Sequence, residues 1–482
     1  MKLGFKEKVS YGLGAVGKDL VYMLSASYVL YYFQDVLGVN AIAMGIILLA
    51  ARVFDAFNDP IMGIVVAKTK TRWGKFRPWL MIGTLTNSAI LFLMFACPPS
   101  LSPGGLVAYA AITYILWGVT YTMMDIPYWS MIPAFTKSGR EREGLTTLAR
   151  SCAGVGSALI TIFTVIIVKK IGTMIAGSKA TSKEVEIAGF KWFALIIAII
   201  FIVFITITCV NIKEKATVDM QSPSVKQMFK ALISNDQAMT IVLTIVLINM
   251  AIYTTSNLVI YFFKYDFGGT GWQGSYTLFN TFGGGIQILA MMVMYPILRK
   301  FQSNIRIFYI CLVSAVAGYV ILFGLTFLNM SNVMVLFVPA FFIFSANGVL
   351  NVLTTVFLAN TVDYGDLKNN RRDESVIFSM QTFVVKLGSG ISALIASIAL
   401  SITNLKEAAG ETANQEFDFS KTVSDSSRFG LRMTMTIIPV IGLIIAVIVF
   451  RKKFILTEKK MDEITIELSQ RNKAAESKQQ SE

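Results

Sequence analysis

Histidine is absent from the 482-residue sequence, and cysteine is scarce. Without histidine, the chain lacks the side chain that most often acts as a general base near neutral pH. The four cysteines all lie in apolar runs and lack the spacing of a metal or redox motif, at positions 97, 152, 209 and 311. These absences argue against hydrolase, zinc-site and thiol-redox functions, and no enzyme activity is expected.

Charge is also scarce. Only 15% of the residues are charged and 55% are hydrophobic, whereas a soluble chain has roughly 25% charged residues. A membrane span takes ~20 residues, and apolar blocks extend from about residue 10 to about residue 450. The composition therefore predicts an all-α membrane protein with twelve transmembrane helices.

The spans can be placed from the apolar stretches, with ends accurate to a few residues. The first stretch contains Lys18 and Asp19 and is too long for the core of a signal peptide. We therefore expect it to stay in the protein, with a cytoplasmic N-terminus. The predicted spans are 10–34, 41–67, 79–98, 106–134, 144–168, 191–212, 237–263, 272–298, 305–327, 332–362, 376–403 and 430–450.

The net charge of +14 has a topological explanation. Most of the 43 lysines and arginines fall at the two ends and in the even-numbered connections between spans. Cytoplasmic loops of membrane proteins carry such an excess of basic residues. The pattern predicts that both termini are cytoplasmic, and it makes a nucleic-acid partner unnecessary.

A polar connection at 213–236 follows six of the twelve spans. It predicts an N-terminal six-helix bundle at 1–212, a cytoplasmic middle loop at 213–236 and a C-terminal six-helix bundle at 237–453. The tail at 454–482 is expected to be charged, partly helical and solvated. Transporters built from parallel repeats place their substrate site near the midplane, between such halves.

Several ionisable residues fall inside predicted spans, where each costs a few kcal/mol. Such residues usually face a cavity and mark a substrate or ion path. Most of them are in the first half, which predicts a polar site there. They are Lys18, Asp19, Arg52, Asp55, Asp59, Asp125 and Arg150, with Lys386 in the second half.

In the second span, the segment ARVFDAFNDP at 51–60 puts Arg52, Asp55 and Asp59 on one helical face, with Asn58 beside them. Oxygen atoms of Asp55, Asn58 and Asp59 suit a hard cation such as Na⁺. Paired carboxylates can instead share a proton. A purely structural salt bridge with Arg52 is the third interpretation.

In the fourth span, Tyr121, Asp125 and Trp129 are spaced at i, i+4 and i+8. A carboxylate that accepts hydroxyl hydrogen bonds beside a flat aromatic face suits a sugar. The alternative is that Trp129 and Tyr128 belong to the interfacial aromatic belt while Asp125 pairs with Arg150. We expect the belt role for Tyr128 and the binding role for Trp129.

Together these segments resemble the glycoside-pentoside-hexuronide cation symporters, most closely the melibiose permease branch, within the major facilitator fold. The resemblance covers nearly the whole chain. It rests on GKD at 17–19, ARVFDAFNDPIMG at 51–63, RWGKFRPW at 72–79, TYTMMDIPYWSMIP at 120–133, VDYG at 362–365 and MQTFVVK at 380–386.

The resemblance implies roles for individual residues. The cation site, with Na⁺ at Asp55 and Asp59, would comprise Asp55, Asn58, Asp59 and Thr122. The sugar site would comprise Lys18, Asp19, Tyr121, Asp125, Trp129 and Arg150, with Gln381 and Thr382 from the second half. Arg52 and Lys386 would form a charge network near the cation. A cytoplasmic gate would comprise Arg140, Glu141 and Arg142 together with Arg72 and Lys75.

The expected function is import of a galactoside such as melibiose, coupled to a monovalent cation and carried out by alternating access. Na⁺ is favoured over H⁺ because Asn58 and Thr122 add neutral oxygens. H⁺ and Li⁺ remain alternatives as the coupling ion, and no other cofactor is expected. The protein should work as a monomer in the lipid bilayer of the bacterial plasma membrane. The alternatives are another glycoside, a pentoside or a hexuronide, or, from a different class, cation-coupled carriage of a lysophospholipid.

Overall fold

A computed structural model describes residues 4–136, 139–177, 179–214, 225–328, 332–369, 374–403, 405 and 418–479. Long helices account for most of them. The first six are α1 Phe5–Tyr31, α2 Ala41–Lys68, α3 Arg77–Phe95, α4 Pro103–Ser130, α5 Gly139–Ala176 and α6 Ser182–Asn211. The next six are α7 Asp236–Tyr261, α8 Trp272–Leu289, α9 Asn304–Leu325, α10 Phe337–Asn369, α11 Glu374–Thr403 and α12 Asp425–Lys453, and α13 Glu458–Gln479 follows.

Shorter pieces extend or connect these helices. One-turn π-helical segments continue α1 at Tyr32–Val36, α7 at Phe262–Phe267 and α8 at Ala290–Met294. Short α-helices lie at Ile132–Phe135, Val225–Ser234 and Tyr295–Phe301, and 3₁₀ turns lie at Val333–Leu336 and Phe419–Thr422. The π-helical geometry is rare in proteins and often occurs at functional sites.

Eleven helices within the described ranges are long and apolar enough to cross a bilayer. The all-helical membrane fold is therefore confirmed. The helix that contains Lys18 and Asp19 is not among the eleven, so the count of twelve spans and the cytoplasmic termini stay predictions. The division into six-helix halves is a prediction as well.

Helix α6 begins at Ser182, well before the predicted start at residue 191. The Thr181 hydroxyl accepts a hydrogen bond from the Glu184 amide at 3.2 Å, and the Glu184 carboxylate accepts one from the Thr181 amide at 2.8 Å. This reciprocal cap satisfies backbone groups at the helix start. Hydropathy misses the first turns of α6 because they are polar.

The chain forms two compact units. The first comprises Met1–Ser222, Ser256–Thr281 and Ala393–Leu431, and the second comprises Pro223–Thr255, Phe282–Ser392 and Arg432–Glu482. In the first unit, α1 and α5 approach closely at Gly156, where an added Cβ atom would lie 2.6 Å from the Val16 carbonyl oxygen. Only glycine allows this approach, which brings the next residue, Ser157, close to α1.

The second unit has an aromatic core, in which the ring of Phe450 lies 4.3 Å from Phe308 and 5.3 Å from Phe357. The tail helix α13 packs on this unit through the buried side chain of Ile464. Arg471 of α13 also pairs with Asp366 of α10. The tail is helical, and the predicted solvation applies to only part of it, because Ile464 on one face of α13 is buried.

Candidate functional site

Lys18 of α1 is the centre of a polar cluster in the first unit. Its Nζ lies 2.9 Å from Asp125 Oδ1 and 3.1 Å from Asp19 Oδ1, and it donates to the Tyr121 hydroxyl at 3.3 Å. The Lys18 side chain is 5% exposed, whereas Asp19 is 17% and Asp125 27% exposed. One buried ammonium therefore holds two carboxylates that solvent can still reach. We call this group, with Trp129 and Arg150, the Lys18 cluster.

Trp129 completes an aromatic wall beside Asp125. Its indole Nε1 donates to Asp125 Oδ1 at 3.1 Å, and the Arg150 guanidinium lies 4.1 Å from the ring centroid. The Lys18 ammonium lies 5.1 Å from the same centroid. Trp129 thus lies in the Lys18 cluster, and Asp125 forms an ion pair with Lys18. All six first-half residues predicted for the sugar are in this cluster.

Tyr128 has a different role from the one expected. It is fully buried, and its ring stacks on Tyr11 of α1 at a centroid distance of 4.4 Å. Each hydroxyl donates to the main-chain carbonyl of the other residue at 2.5 Å. The belt prediction for Tyr128 is wrong, because neighbouring positions on a helix point about 100° apart and Tyr128 faces α1.

Ser157 of α5 is a residue that sequence reasoning missed. Its hydroxyl donates to Asp19 Oδ2 at 2.7 Å, while Lys18 is bound to Oδ1. Both oxygens of Asp19 are therefore held, which fixes the orientation of the carboxylate. The sequence signal was the small residue Gly156 beside it, which lets α5 approach α1.

The predicted cation ligands lie between α2 and α4. Asp59 Oδ1 accepts a hydrogen bond from the Thr122 hydroxyl at 3.0 Å, and Asp55 Oδ2 lies 3.4 Å from Arg52 Nη1. Asp55 faces α4 at Gly118, where an added Cβ atom would be 3.1 Å from Asp55 Oδ1. The two carboxylates therefore face α4 one turn apart.

Residues 10–457 match the model of the protein family described as MFS/sugar transport protein. The chain belongs to this family. It is 28% identical over 480 residues to a lactose permease of Lactobacillus delbrueckii subsp. bulgaricus, covering 97% of this chain and 73% of that protein. It is 29% identical to the raffinose carrier protein of Pediococcus pentosaceus, covering 96% of this chain and 71% of that protein. It is also 29% identical to the isoprimeverose transporter of Lactiplantibacillus pentosus, covering 82% of this chain and 80% of that protein.

Solved transporter structures share the fold. A bacterial homologue of the human lysosomal transporter Spinster matches with a TM-score of 0.64 at 11% identity, covering 92% of this chain and 95% of that one. A nucleoside transporter, NupG, matches with a TM-score of 0.61 at 12% identity, covering 92% and 100%. The resemblance to the glycoside-pentoside-hexuronide symporters is confirmed, and this MFS sugar symporter is a multi-pass cell-membrane protein, not an enzyme.

The second-half candidates of this MFS symporter lie on α11, in the second unit. Gln381 and Lys386 are half-buried, and Thr382 is exposed. Their roles in binding sugar or cation stay predictions.

Three of the predicted gate residues, Arg140, Glu141 and Arg142, belong to the first turn of α5, but their side chains lie outside what the structure describes. The other two, exposed Arg72 and half-buried Lys75, lie in the loop before α3. The gate role of all five stays a prediction.

The loop before α3 is held by Glu214, which sequence reasoning also missed. The Glu214 carboxylate accepts hydrogen bonds from the backbone amides of Lys75 at 2.7 Å, Phe76 at 2.9 Å and Arg77 at 3.2 Å. Amides at a helix N-terminus have no partner within the helix and favour an anion. In this MFS symporter, Glu214 therefore fixes the start of α3.

Proposed function

We propose that this symporter imports a galactoside such as melibiose together with Na⁺. The observation that carries the proposal is Asp125, whose carboxylate is held by Lys18 and Trp129 beside the indole ring and stays 27% exposed. A carboxylate accepts hydrogen bonds from sugar hydroxyls, and the aromatic face covers the apolar side of a pyranose ring. The relatives support a galactoside, because lactose and raffinose both contain a galactosyl residue.

Asp19 supplies a second acceptor whose orientation is also fixed. Ser157 and Lys18 fix its two oxygens, and 17% of its side chain is exposed. Two fixed carboxylates can distinguish sugars by the positions of their hydroxyl groups, since a buried acceptor left without its hydroxyl costs binding energy. Lys18 and Arg150 add donors for other hydroxyl oxygens.

The α2–α4 contact supports Na⁺ as the coupling ion. Asp55 and Asp59 face α4 at Gly118 and Thr122, and Thr122 adds a neutral oxygen. Nδ2 of Asn58 is buried and has no hydrogen-bond partner within the described ranges. The two ends of an amide are nearly alike in shape, so a flipped Asn58 would place a carbonyl oxygen there. These are the hard oxygen ligands that Na⁺ requires.

Charge balance gives a physical reason for coupling. The proposed sugar and cation sites together contain four carboxylates and three cationic side chains in the first unit. The carboxylates are Asp19, Asp55, Asp59 and Asp125, and the cationic side chains are Lys18, Arg52 and Arg150. A bound monovalent cation offsets the excess negative charge, so a site holding both sugar and cation can close around them at lower electrostatic cost. Binding of either ligand then favours binding of the other.

Counterflow of labelled melibiose in membrane vesicles, with and without Na⁺, tests the proposal. The wild-type protein should exchange melibiose faster with Na⁺. Asp59→Asn should still bind melibiose but lose the stimulation, because the amide removes one charged ion ligand and leaves the Lys18 cluster intact. The matched control is Asp425→Asn, which changes a carboxylate that is 97% exposed.

Other outcomes of these transport and binding measurements would favour an alternative substrate or contradict the site assignment. Exchange of a xyloside but not of melibiose would favour the pentoside alternative, which the isoprimeverose relative supports. Exchange of a hexuronide would favour a role for Lys18 and Arg150 as carboxylate ligands. Movement of lysophospholipid that survives Asp125→Ala would favour the lipid carrier. Loss of melibiose and Na⁺ binding together in Asp59→Asn would contradict the separation of the two sites.

A further inference from the structure

A second lysine-centred group lies at the far ends of α1 and α7, within the first unit. Lys264 Nζ lies 2.7 Å from Asp35 Oδ2 and donates to the Tyr31 hydroxyl at 2.9 Å. The Tyr265 hydroxyl donates to Asp35 Oδ1 at 2.7 Å. The Lys264 and Asp35 side chains are both 0% exposed. This group, Tyr31, Gln34, Asp35, Tyr261, Lys264 and Tyr265, is called the Lys264 cluster.

Neighbouring side chains enclose the Lys264 cluster. Glu186 of α6 accepts hydrogen bonds from the Tyr31 hydroxyl at 3.0 Å and lies 4.0 Å from Lys264 Nζ. The ring of Phe419 lies over the ammonium, with its centroid at 4.8 Å. Asp418 accepts hydrogen bonds from the Ser420 hydroxyl at 2.6 Å and from the Gly269 amide at 2.9 Å. The connection before α12 is thereby fixed to the end of α7.

Asp418 is ionised at neutral pH. Burial raises the pKa of this carboxyl, but the hydrogen bonds from Ser420 and from the Gly269 amide outweigh that effect and hold the pKa below its usual value. The attachment of the Phe419 segment to α7 therefore persists over the physiological pH range.

The Lys264 cluster is built from a repeated segment. YVLYYFQDVLG at 28–38 and LVIYFFKYDFG at 258–268 align without a gap. Each contains a π-helical turn and ends at a glycine of positive φ, Gly38 at 75° and Gly268 at 67°. The alignment pairs Tyr31 with Tyr261 and Gln34 with Lys264.

The equivalent positions bind each other reciprocally. Lys264 donates to Tyr31 at 2.9 Å, and Tyr261 donates to Gln34 Oε1 at 2.6 Å. The same contact is therefore made twice, once in each direction, as expected for two related helix ends that meet across a pseudo-twofold axis. The two segments are identical at four of the eleven aligned positions, and Asp35 is aligned with Tyr265. The carboxylate of Asp35 supplies the counter-charge for Lys264.

Burial of such an ion pair is a poor route to stability, since apolar residues of similar volume stabilise a closed contact as well or better. A charged contact has a different advantage. When the helix ends separate and water enters, Lys264, Asp35 and Glu186 regain their hydration, which offsets the cost of opening. An apolar contact would gain nothing from water. Charges buried in this way therefore suit a contact that must open repeatedly.

We propose that the Lys264 cluster is the outer gate of the transport cycle: its contacts keep the outer ends of α1 and α7 together, and they must separate before sugar can enter from outside. The proposal rests on the proposed symport function and on the predicted orientation of α1. It assigns a transport role to Asp35, Lys264 and Tyr265, which lie outside the sugar and cation sites.

A reporter thiol tests the gate. Ser25 of α1 lies on the same helix between Lys18 and Tyr31, and it is 1% exposed. In the Ser25→Cys variant, a membrane-impermeant maleimide added to intact cells should label the new thiol slowly while the gate is closed. The chain without this substitution measures the background labelling of its four native cysteines. Adding Lys264→Met should raise the rate about tenfold or more, because Asp35 loses its buried partner. The matched control Lys460→Met removes an exposed ion pair with Glu463 and should leave the rate unchanged.

Tyr265→Phe provides a second variant that keeps the ring and removes one hydrogen bond. It should raise the labelling rate about two- to tenfold. An unchanged rate in Tyr265→Phe, and in Lys264→Met where that variant folds, would overturn the gate proposal. The labelling needs no substrate, so this outcome is separate from a failure of melibiose counterflow, which would overturn the sugar or cation assignment alone.

Discussion

The Lys18 and Lys264 clusters contain almost the same chemical groups and differ in their access to water. Each joins a buried lysine to a carboxylate at 3 Å or less and adds a tyrosine hydroxyl and an aromatic ring within about 5 Å of the ammonium. In the Lys18 cluster, the Asp125 side chain is 27% exposed, whereas Asp35 in the Lys264 cluster is 0% exposed.

The difference shows how one set of groups can serve two purposes. Reachable carboxylates can exchange water for ligand hydroxyls, so the Lys18 cluster is suited to binding. Sealed carboxylates can bind only the protein groups around them, so the Lys264 cluster holds two helix ends together. Solvent access, more than residue type, therefore separates the proposed ligand site from the proposed gate.

The largest effect should come from breaking the sealed pair. Lys264→Met leaves Asp35 buried without its lysine, and we expect a loss of about 3–5 kcal/mol in unfolding free energy. Lys18→Met should cost about 1–2 kcal/mol, because Asp19 and Asp125 can be hydrated. Unfolding midpoints of the purified variants in detergent measure both.

A double substitution is the control for this comparison. Asp35→Asn combined with Lys264→Met removes both charges and should recover most of the lost stability, because no unpaired charge remains. Equal losses in Lys264→Met and Lys18→Met would contradict the distinction between a sealed and an accessible cluster.

A smaller effect is expected at the accessible cluster. Asp125→Asn keeps the shape of the side chain but removes the charge that, under the proposed function, strengthens its hydrogen bonds to sugar. Sugar affinity should fall about 10- to 100-fold, as measured by equilibrium binding of labelled melibiose. Asp35→Asn serves as the comparison: a similar fall in binding there would show that the two clusters do not have separate roles.

The smallest effect should come from Ser157→Ala. It releases Asp19 Oδ2 from its 2.7 Å hydrogen bond, which is worth about 1 kcal/mol, or about fivefold in sugar affinity. Because Asp19 would then turn more freely, selectivity between melibiose and its deoxy analogues should fall as well. Ser157→Thr keeps the hydroxyl and should retain that selectivity; a purely structural role would leave selectivity unchanged in both variants.

The sequence predicted the helical membrane fold correctly, and the six first-half residues predicted for the sugar lie together in the Lys18 cluster, where their role as sugar ligands stays a prediction. Both follow from hydrophobic length and from the cost of charge at membrane depth, which are properties of single segments. Tyr128 was assigned wrongly because a helix position shows only that a side chain points away from its neighbour Trp129. Which helix it meets depends on packing between segments.

The missed residues share a physical cause. Ser157 is an ordinary small residue in a helix, and its importance arises from the approach of α1 and α5 at Gly156. Glu214 lies in the polar connection after α6, far along the chain from the α3 amides that it binds. The Lys264 cluster forms where two repeated segments that are 230 positions apart in the sequence come together. Contacts of this kind depend on tertiary structure, and a local pattern such as a small residue at Gly156 does not identify the partners.

The reciprocal bonds between Tyr11 and Tyr128 set the longitudinal register of α1 against α4. Each tyrosine is anchored to the other's main chain, so sliding one helix along the other by a single turn of about 5.4 Å would break both bonds at once. Lys18 and Asp125, which lie further along the same two helices, therefore keep their spacing whenever the pair moves. The spacing between the proposed sugar ligands on the two helices is therefore set by a pair of tyrosines that lies outside the proposed sugar site.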